Sequence, residues 1–125
     1  MMKNITLLTV CLLSVLSWQS CQYDWIDPIE PEIPEVVSFS GDIIQIFNDR
    51  NCSSSSCHAA GAVPPDLTPA NAYDDLFARN QIDLATPENS KLYTKCAPGG
   101  SMNKYCQPGD WEIMLKWIQE GALNN

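Results

Sequence analysis

The stretch "NCSSSSCHAA", Asn51 to Ala60, sets two cysteines four serines apart. The second, Cys57, is followed at once by His58, the only histidine in the chain. A Cys-x-x-Cys-His run is the pattern of covalent haem attachment, and here the gap between the thiols is two residues wider. The same residues could join a zinc site, or form a small disulfide loop beside an incidental histidine. The choice depends on the compartment and on what the rest of the chain supplies.

The chain opens "MMKNITLLTVCLLSVLSWQSC": a positive start at Lys3, an almost unbroken apolar run from Ile5 to Leu16, then small and polar residues up to Cys21. This is the layout of a secretory signal over residues 1–20, too short and too early to make a good spanning helix. "LSWQSC" resembles a loose lipobox, with Trp18 and Gln19 where a strict one has small residues. The expectation is a lipid-carrying Cys21; the alternative is ordinary cleavage nearby, leaving a thiol. The chain is thus expected in the bacterial cell envelope, exported and held to the membrane by its lipid anchor only. In that oxidising setting cysteines pair or are used chemically. With Cys11 in the signal and Cys21 acylated, four of the six cysteines remain: Cys52, Cys57, Cys96 and Cys106. They fit two disulfides, or one disulfide and one haem attachment.

"QYDWIDPIEPEIPEVV" follows Cys21, with five acids, no base, and Pro28, Pro31 and Pro34 at every third residue. Residues 21–36 therefore read as a lipidated cysteine and an extended acidic tether. Residues 37–125 form one domain, small enough to need a staple. The whole chain has 15 acidic and 7 basic residues and a formal net charge of −8. Loss of the signal with Lys3 makes it more negative. Such a surface argues against nucleic acid and anionic headgroups, and for basic partners. There is no internal repeat and no glycine-rich phosphate loop.

Four segments have helical periodicity and none reads as strand, so the domain is expected to be all-α. "SFSGDIIQIFNDRN" has Ser40 as candidate cap, with Phe39, Ile43, Ile46 or Ile44, and Phe47 on one face. "TPANAYDDLFARN" starts with Thr68 as cap and Pro69 at the first position, and buries Ala72, Tyr73, Leu76 and Phe77. "TPENSKLYTKC" repeats the device with Thr86, Pro87 and Glu88, and buries Leu92 and Tyr93. "PGDWEIMLKWIQEGALNN" has the strongest stripe, Trp111, Met114, Leu115 and Ile118, broadened by Ile113 and Trp117 and stopped by Gly121.

Covalent attachment needs two thiols that reach one edge of the ring and a histidine directly after the second, so that its imidazole meets the iron. Cys57 and His58 satisfy the tighter demand, and four small serines can bulge where two residues usually suffice. With no second histidine, a sixth ligand must be a methionine. Met102, in the glycine-rich "CAPGGSMNKYC", is favoured over Met114 on the last apolar stripe, where core packing is the ordinary role.

With these residues in place the sequence resembles a small class I c-type cytochrome domain of the kind carried by bacterial lipoproteins, over about Val37 to Leu123. The resemblance rests on "FSGDIIQIFNDRNC", Cys57–His58, "PPDLTPANAYDDL", "PENSKLY", "GGSM" and "WIQEGA", in the family's order. It implies a helical domain around a covalently bound haem c, with the first and last helices crossing and Phe47 meeting the Trp111–Trp117 face. It implies Cys52 and Cys57 as attachment points, His58 and Met102 as iron ligands, a carbonyl of Pro64 or Pro65 accepting from the imidazole, and Leu67 packed on the ring. The chain departs from the family in its Cys spacing, in Ser101 and Asn103 flanking Met102, and in Cys96 and Cys106. These last two are expected to pair and close the Met102 loop, contributing roughly 2–3 kcal/mol.

The function implied is electron transfer with redox partner proteins of the cell envelope, rather than catalysis. A five-coordinate iron, sensing a gas or acting on peroxide, would follow only if Met102 did not bind. A zinc site from Cys52, Cys57, His58 and Cys96 or Cys106 lacks the usual spacing and sits in the wrong compartment. The alternative function is a haem-free lipoprotein with two disulfides, acting as a binding or adhesion module.

Overall fold

The computed structural model describes residues 31–125. The expected signal segment, Cys21 with its expected lipid and the larger part of the acidic tether lie outside the described residues. The rest is helical, with no strand among the described residues. A π-helical turn, Phe39–Ile43, runs into α1, Ile44–Asp49; α2 is Ala72–Ala78, α3 Lys91–Cys96 and α4 Asp110–Gln119. Short 3-10 turns, Pro87–Asn89 and Asn103–Tyr105, precede α3 and α4. No helix of the described residues is long and apolar enough to cross a membrane.

Several starts differ from the sequence expectation, each because a side chain has a better local partner. The first cap is Ser38, not Ser40. Ser38 has the extended backbone a cap requires, and its Oγ accepts from Gly41 N at 3.1 Å. Ser40 Oγ instead donates to Asn125 O at 2.8 Å. In the second segment the Thr68 carbonyl accepts from Asn71 and Ala72, but the Thr68 hydroxyl donates to Asp66 Oδ1 at 2.6 Å. Regular helix therefore waits until Ala72. The third segment breaks at Ser90, whose backbone turns extended. Thr86 Oγ1 bonds Asp83 Oδ2 at 2.7 Å, and the buried Ser90 Oγ accepts from Asp83 N at 2.8 Å.

The helix ends α1, α2 and α4 share one device. Asn51, Asn80 and Gly121 take the left-handed conformation, and in each case the next residue's N–H reaches back to the carbonyl five residues earlier: Cys52 to Phe47, Gln81 to Leu76, Ala122 to Trp117. This is the Schellman motif. It turns the chain sharply, so that Cys52 and Gln81 are delivered inward. Asn tolerates this conformation and Gly adopts it freely.

The core is built from Phe39, Ile43, Phe47, Leu76, Met114, Trp117 and Ile118, all almost fully buried. Helix α4 packs on α3 and on the π-helical turn. The aromatic partner of Trp117 across the first and last elements is Phe39, with ring centroids 5.1 Å apart, and Tyr73 meets Phe39 edge-on at 5.1 Å. Such pairs add about 0.5–1.5 kcal/mol beyond burial. Phe47, expected on the tryptophan face, also lines a cleft with Met114. Tyr73 Oη donates to Ala122 O at 3.0 Å and Trp117 Nε1 to Leu123 O at 2.9 Å, which ties residues 122–125 to the core.

Candidate functional site

Between α1, α3 and the 52–67 segment lies an open cleft of about 250 Å³. Cys52, Cys57, His58, Pro65, Leu67 and Met102, the residues singled out above, all line it. They come from three stretches: the turn after α1, the loop leading to α2 and the loop between α3 and α4. Phe47, Leu76, Leu92 and Met114 complete apolar walls.

The four-serine gap folds as a compact turn. Cys52 N–H closes α1 on Phe47 O at 2.8 Å, Cys57 N–H reaches Ser54 O at 2.9 Å, and His58 N–H returns to Cys52 O at 2.9 Å. That last bond closes the bulge, so the extra residues project outward, with Ser55 and Ser56 exposed. Both Cys52 and Cys57 carry free thiols. Burial, and then the neighbouring Cys57 and Asp110, push the Cys52 thiol above its ordinary value, which keeps it protonated at neutral pH.

His58 is anchored from two sides. Its backbone N–H is bonded as above and its carbonyl accepts from Leu67 N at 2.8 Å. Its Nδ1 lies 2.8 Å from Val63 O and 3.1 Å from Pro65 O. Both partners only accept, so in the neutral imidazole Nδ1 carries the proton and Nε2 keeps its lone pair. A histidine oriented in this way is suited to bind a metal through Nε2, and the carbonyl contact raises its basicity. Leu67, nearly buried, continues the wall beside the ring.

Met102 is held by backbone rather than by burial. Its N–H donates to Lys95 O at 2.8 Å, and Asn103 Nδ2 donates to Cys96 O at 2.8 Å, so the loop folds back on the end of α3. Gly100 makes this possible, because a Cβ there would run into the carbonyl oxygens of Thr94 and Lys95. Cys96 and Cys106 form a disulfide, Cα–Cα 5.7 Å, that closes the same loop. Met114 lines the cleft too, but from the core, at 1 % exposure.

The sequence reading missed a polar brace. Arg50, on the cleft wall, donates from Nε to Asp110 Oδ2 at 2.7 Å and from Nη2 to Asp110 Oδ1 at 3.1 Å. Asp110 Oδ2 also accepts from Gln107 N at 2.7 Å. The pair raises the Arg50 pKa further, chiefly through that hydrogen bond, and joins the end of α1 to the start of α4. Nothing local links residues 60 apart in sequence; helical periodicity places Asp110 only in a first turn.

Among the described residues no three His, Cys, Asp or Glu side chains converge to hold a metal ion. Cys96 and Cys106, the expected fourth zinc ligands, are joined to each other. The donor set of a zinc site is therefore not assembled. The set that does share the cleft suits a haem: an imidazole with a bare Nε2, two free thiols beside it, a thioether on a separate loop and apolar walls. Ligand clefts commonly run to about 300–1,000 Å³, so a ring as broad as a porphyrin would leave an edge outside. Comparison with known protein families, with curated proteins and with solved structures finds no match.

Proposed function

We propose that this chain is an electron carrier of the cell envelope, with a haem c in the cleft, attached through Cys52 and Cys57 and ligated by His58 and Met102. The observation that carries it is the convergence of these four side chains on one apolar cleft, with His58 Nδ1 bonded to two backbone carbonyls. When bound, the haem supplies a one-electron Fe(III)/Fe(II) couple, and the thioether ligand favours the reduced state.

The chain's residues do the rest. Val63 and Pro65 carbonyls hold the imidazole in one orientation and tautomer. Leu67, Leu76 and Leu92 keep water from the buried face. The Lys95 carbonyl, Gly100 and the Cys96–Cys106 disulfide hold the Met102 loop, and Arg50–Asp110 braces the wall behind Cys52. With both axial positions taken by side chains, substrate turnover is no part of this reading. The packing of α4 on the π-helical turn supports a small cytochrome c-like arrangement. In this proposal the acidic tether and a lipid on Cys21 keep the domain near its partners.

The test is expression of the chain in a host with periplasmic cytochrome maturation, followed by haem staining of the denatured protein and a reduced-minus-oxidised spectrum. Haem that stays with the denatured chain supports the proposal. A colourless chain beside a matured control cytochrome would replace it with the haem-free binding module, in which Cys52 and Cys57 pair.

A further inference from the structure

The charges around the cleft run against those of the whole molecule. In a chain of net charge −8 with 15 acids, no aspartate or glutamate lines the cleft. The bases among the described residues fall into two sets. Arg50, Arg79 and Lys116 pair with Asp110, Asp75 and Glu120. Lys91, Lys95 and Lys104 have no acidic partner among the described residues, and they share one face. Lys91 and Lys95, one turn apart on α3, line the cleft and are exposed. Lys104 Nζ sits 4.8 Å from the ring centroid of Tyr105, which also lines the cleft.

Two large apolar side chains are exposed at the same mouth, Val63 at 57 % and Tyr105 at 50 %. An apolar centre with a rim of one sign is the composition of a transient protein interface. We infer that the Lys91–Lys95–Lys104 face with Val63 and Tyr105 is the docking surface for an acidic partner protein. This narrows the sequence expectation of basic partners, which follows from net charge alone. The molecule as a whole repels anions, but within a Debye length of about 8–10 Å at moderate salt a partner senses the three lysines first. A local acidic patch is therefore accepted, whereas an extended anionic membrane or nucleic acid would meet the surrounding acids as well. Only the partner's redox character rests on the electron-carrier reading; the charge match does not.

The probe is poly-L-glutamate, titrated into the full chain at low ionic strength and followed by calorimetry. Saturable binding is expected, weakening with salt, and Lys91→Glu/Lys95→Glu/Lys104→Glu should abolish it or weaken it by about tenfold or more. Lys116→Glu, whose partner is Glu120, should leave it intact. All three lysines are exposed, so the triple variant should fold.

No binding by the wild type, or equal binding by the triple variant, overturns the inference. Sedimentation with phosphatidylglycerol vesicles but no binding of polyglutamate would make the face a membrane contact and overturn it. Binding that appears only after Asp24 and Asp27 are changed to Asn, and Glu30, Glu32 and Glu35 to Gln, would assign the face to the chain's own acidic segment and also overturn it. The titration needs no haem. A colourless chain that binds polyglutamate keeps this surface and loses the electron carrier, and a haem-bearing chain that does not bind loses the surface alone.

Discussion

Replacing Asp110 with alanine tests how much of the cleft depends on one long-range polar contact. The Asp110 side chain is 7 % exposed and that of Arg50 23 %. Three N–H groups converge on the carboxylate, two from Arg50 and one from Gln107. A hydrogen bond to a charged group contributes about 1.5–3 kcal/mol. The Gln107 bond is set at about 1.5 kcal/mol, the low end of that range. Arg50 is exposed enough to regain water when its partner is lost, so the pair is discounted to about 1–1.5 kcal/mol. Asp110→Ala should therefore destabilise the fold by about 3 kcal/mol. For a domain of this size that is a fall in Tm of roughly 12–24 °C. The assay is thermal and urea unfolding followed by far-UV circular dichroism, with Arg50→Ala and the double variant completing a cycle. The coupling energy should be about 1–1.5 kcal/mol. An Asp110→Ala protein melting within a few degrees of wild type, or a cycle with no coupling, would refute the brace.

Gly100→Ala should cost about 1–3 kcal/mol, because its Cβ meets two backbone carbonyls that cannot move freely. Gly99→Ala, with open space and only a positive φ to oppose it, should cost about 1–2 kcal/mol in the same unfolding assay. Met102→Ala should leave stability almost unchanged yet remove any sulfur–iron band from the oxidised spectrum. Met114→Ala should cost about 2–5 kcal/mol, as loss of a buried side chain does, and keep the band; the opposite pattern would move the ligand to Met114. Asp66, Asp75 and Asp83 are held below their ordinary value of 3.8 chiefly by hydrogen bonds from Thr68, Asp66 N and Thr86 respectively. Since folding lowers these pKa values, their contribution is present above pH 3.8 and is lost as pH falls through the lower, folded-state values. An acid titration of Tm should show that loss for wild type and a shallower one for Asp66→Asn.

Much of the fold is legible locally. The stripe of Trp111, Met114 and Ile118 specifies α4, and Gly121 ends it, because periodicity and capping act over a few residues. The errors are also local in origin. Ser40, Thr68 and Thr86 all have the right chemistry for a cap, but Asn125, Asp66 and Asp83 compete for their hydroxyls. A side-chain oxygen goes to whichever partner the folded backbone brings nearest, and the pattern of a short window does not contain that partner.

By itself the sequence determined an all-helical domain, the adjacency of Cys57 and His58, a lone histidine and a methionine in a glycine-rich loop. It could propose that these residues act together without bringing them together. Tertiary structure alone decided that the bulged serine turn, the Val63 and Pro65 carbonyls and the Met102 loop meet at one cleft. It also decided that Arg50 finds Asp110, and that three lysines lacking acidic partners gather at the mouth of an acidic molecule. Local hydrogen bonds and periodicity are encoded within one or two turns of chain. Which faces and charges meet is set by the burial of Phe39, Phe47, Leu76 and Trp117 in a single core, and that burial joins segments far apart in sequence.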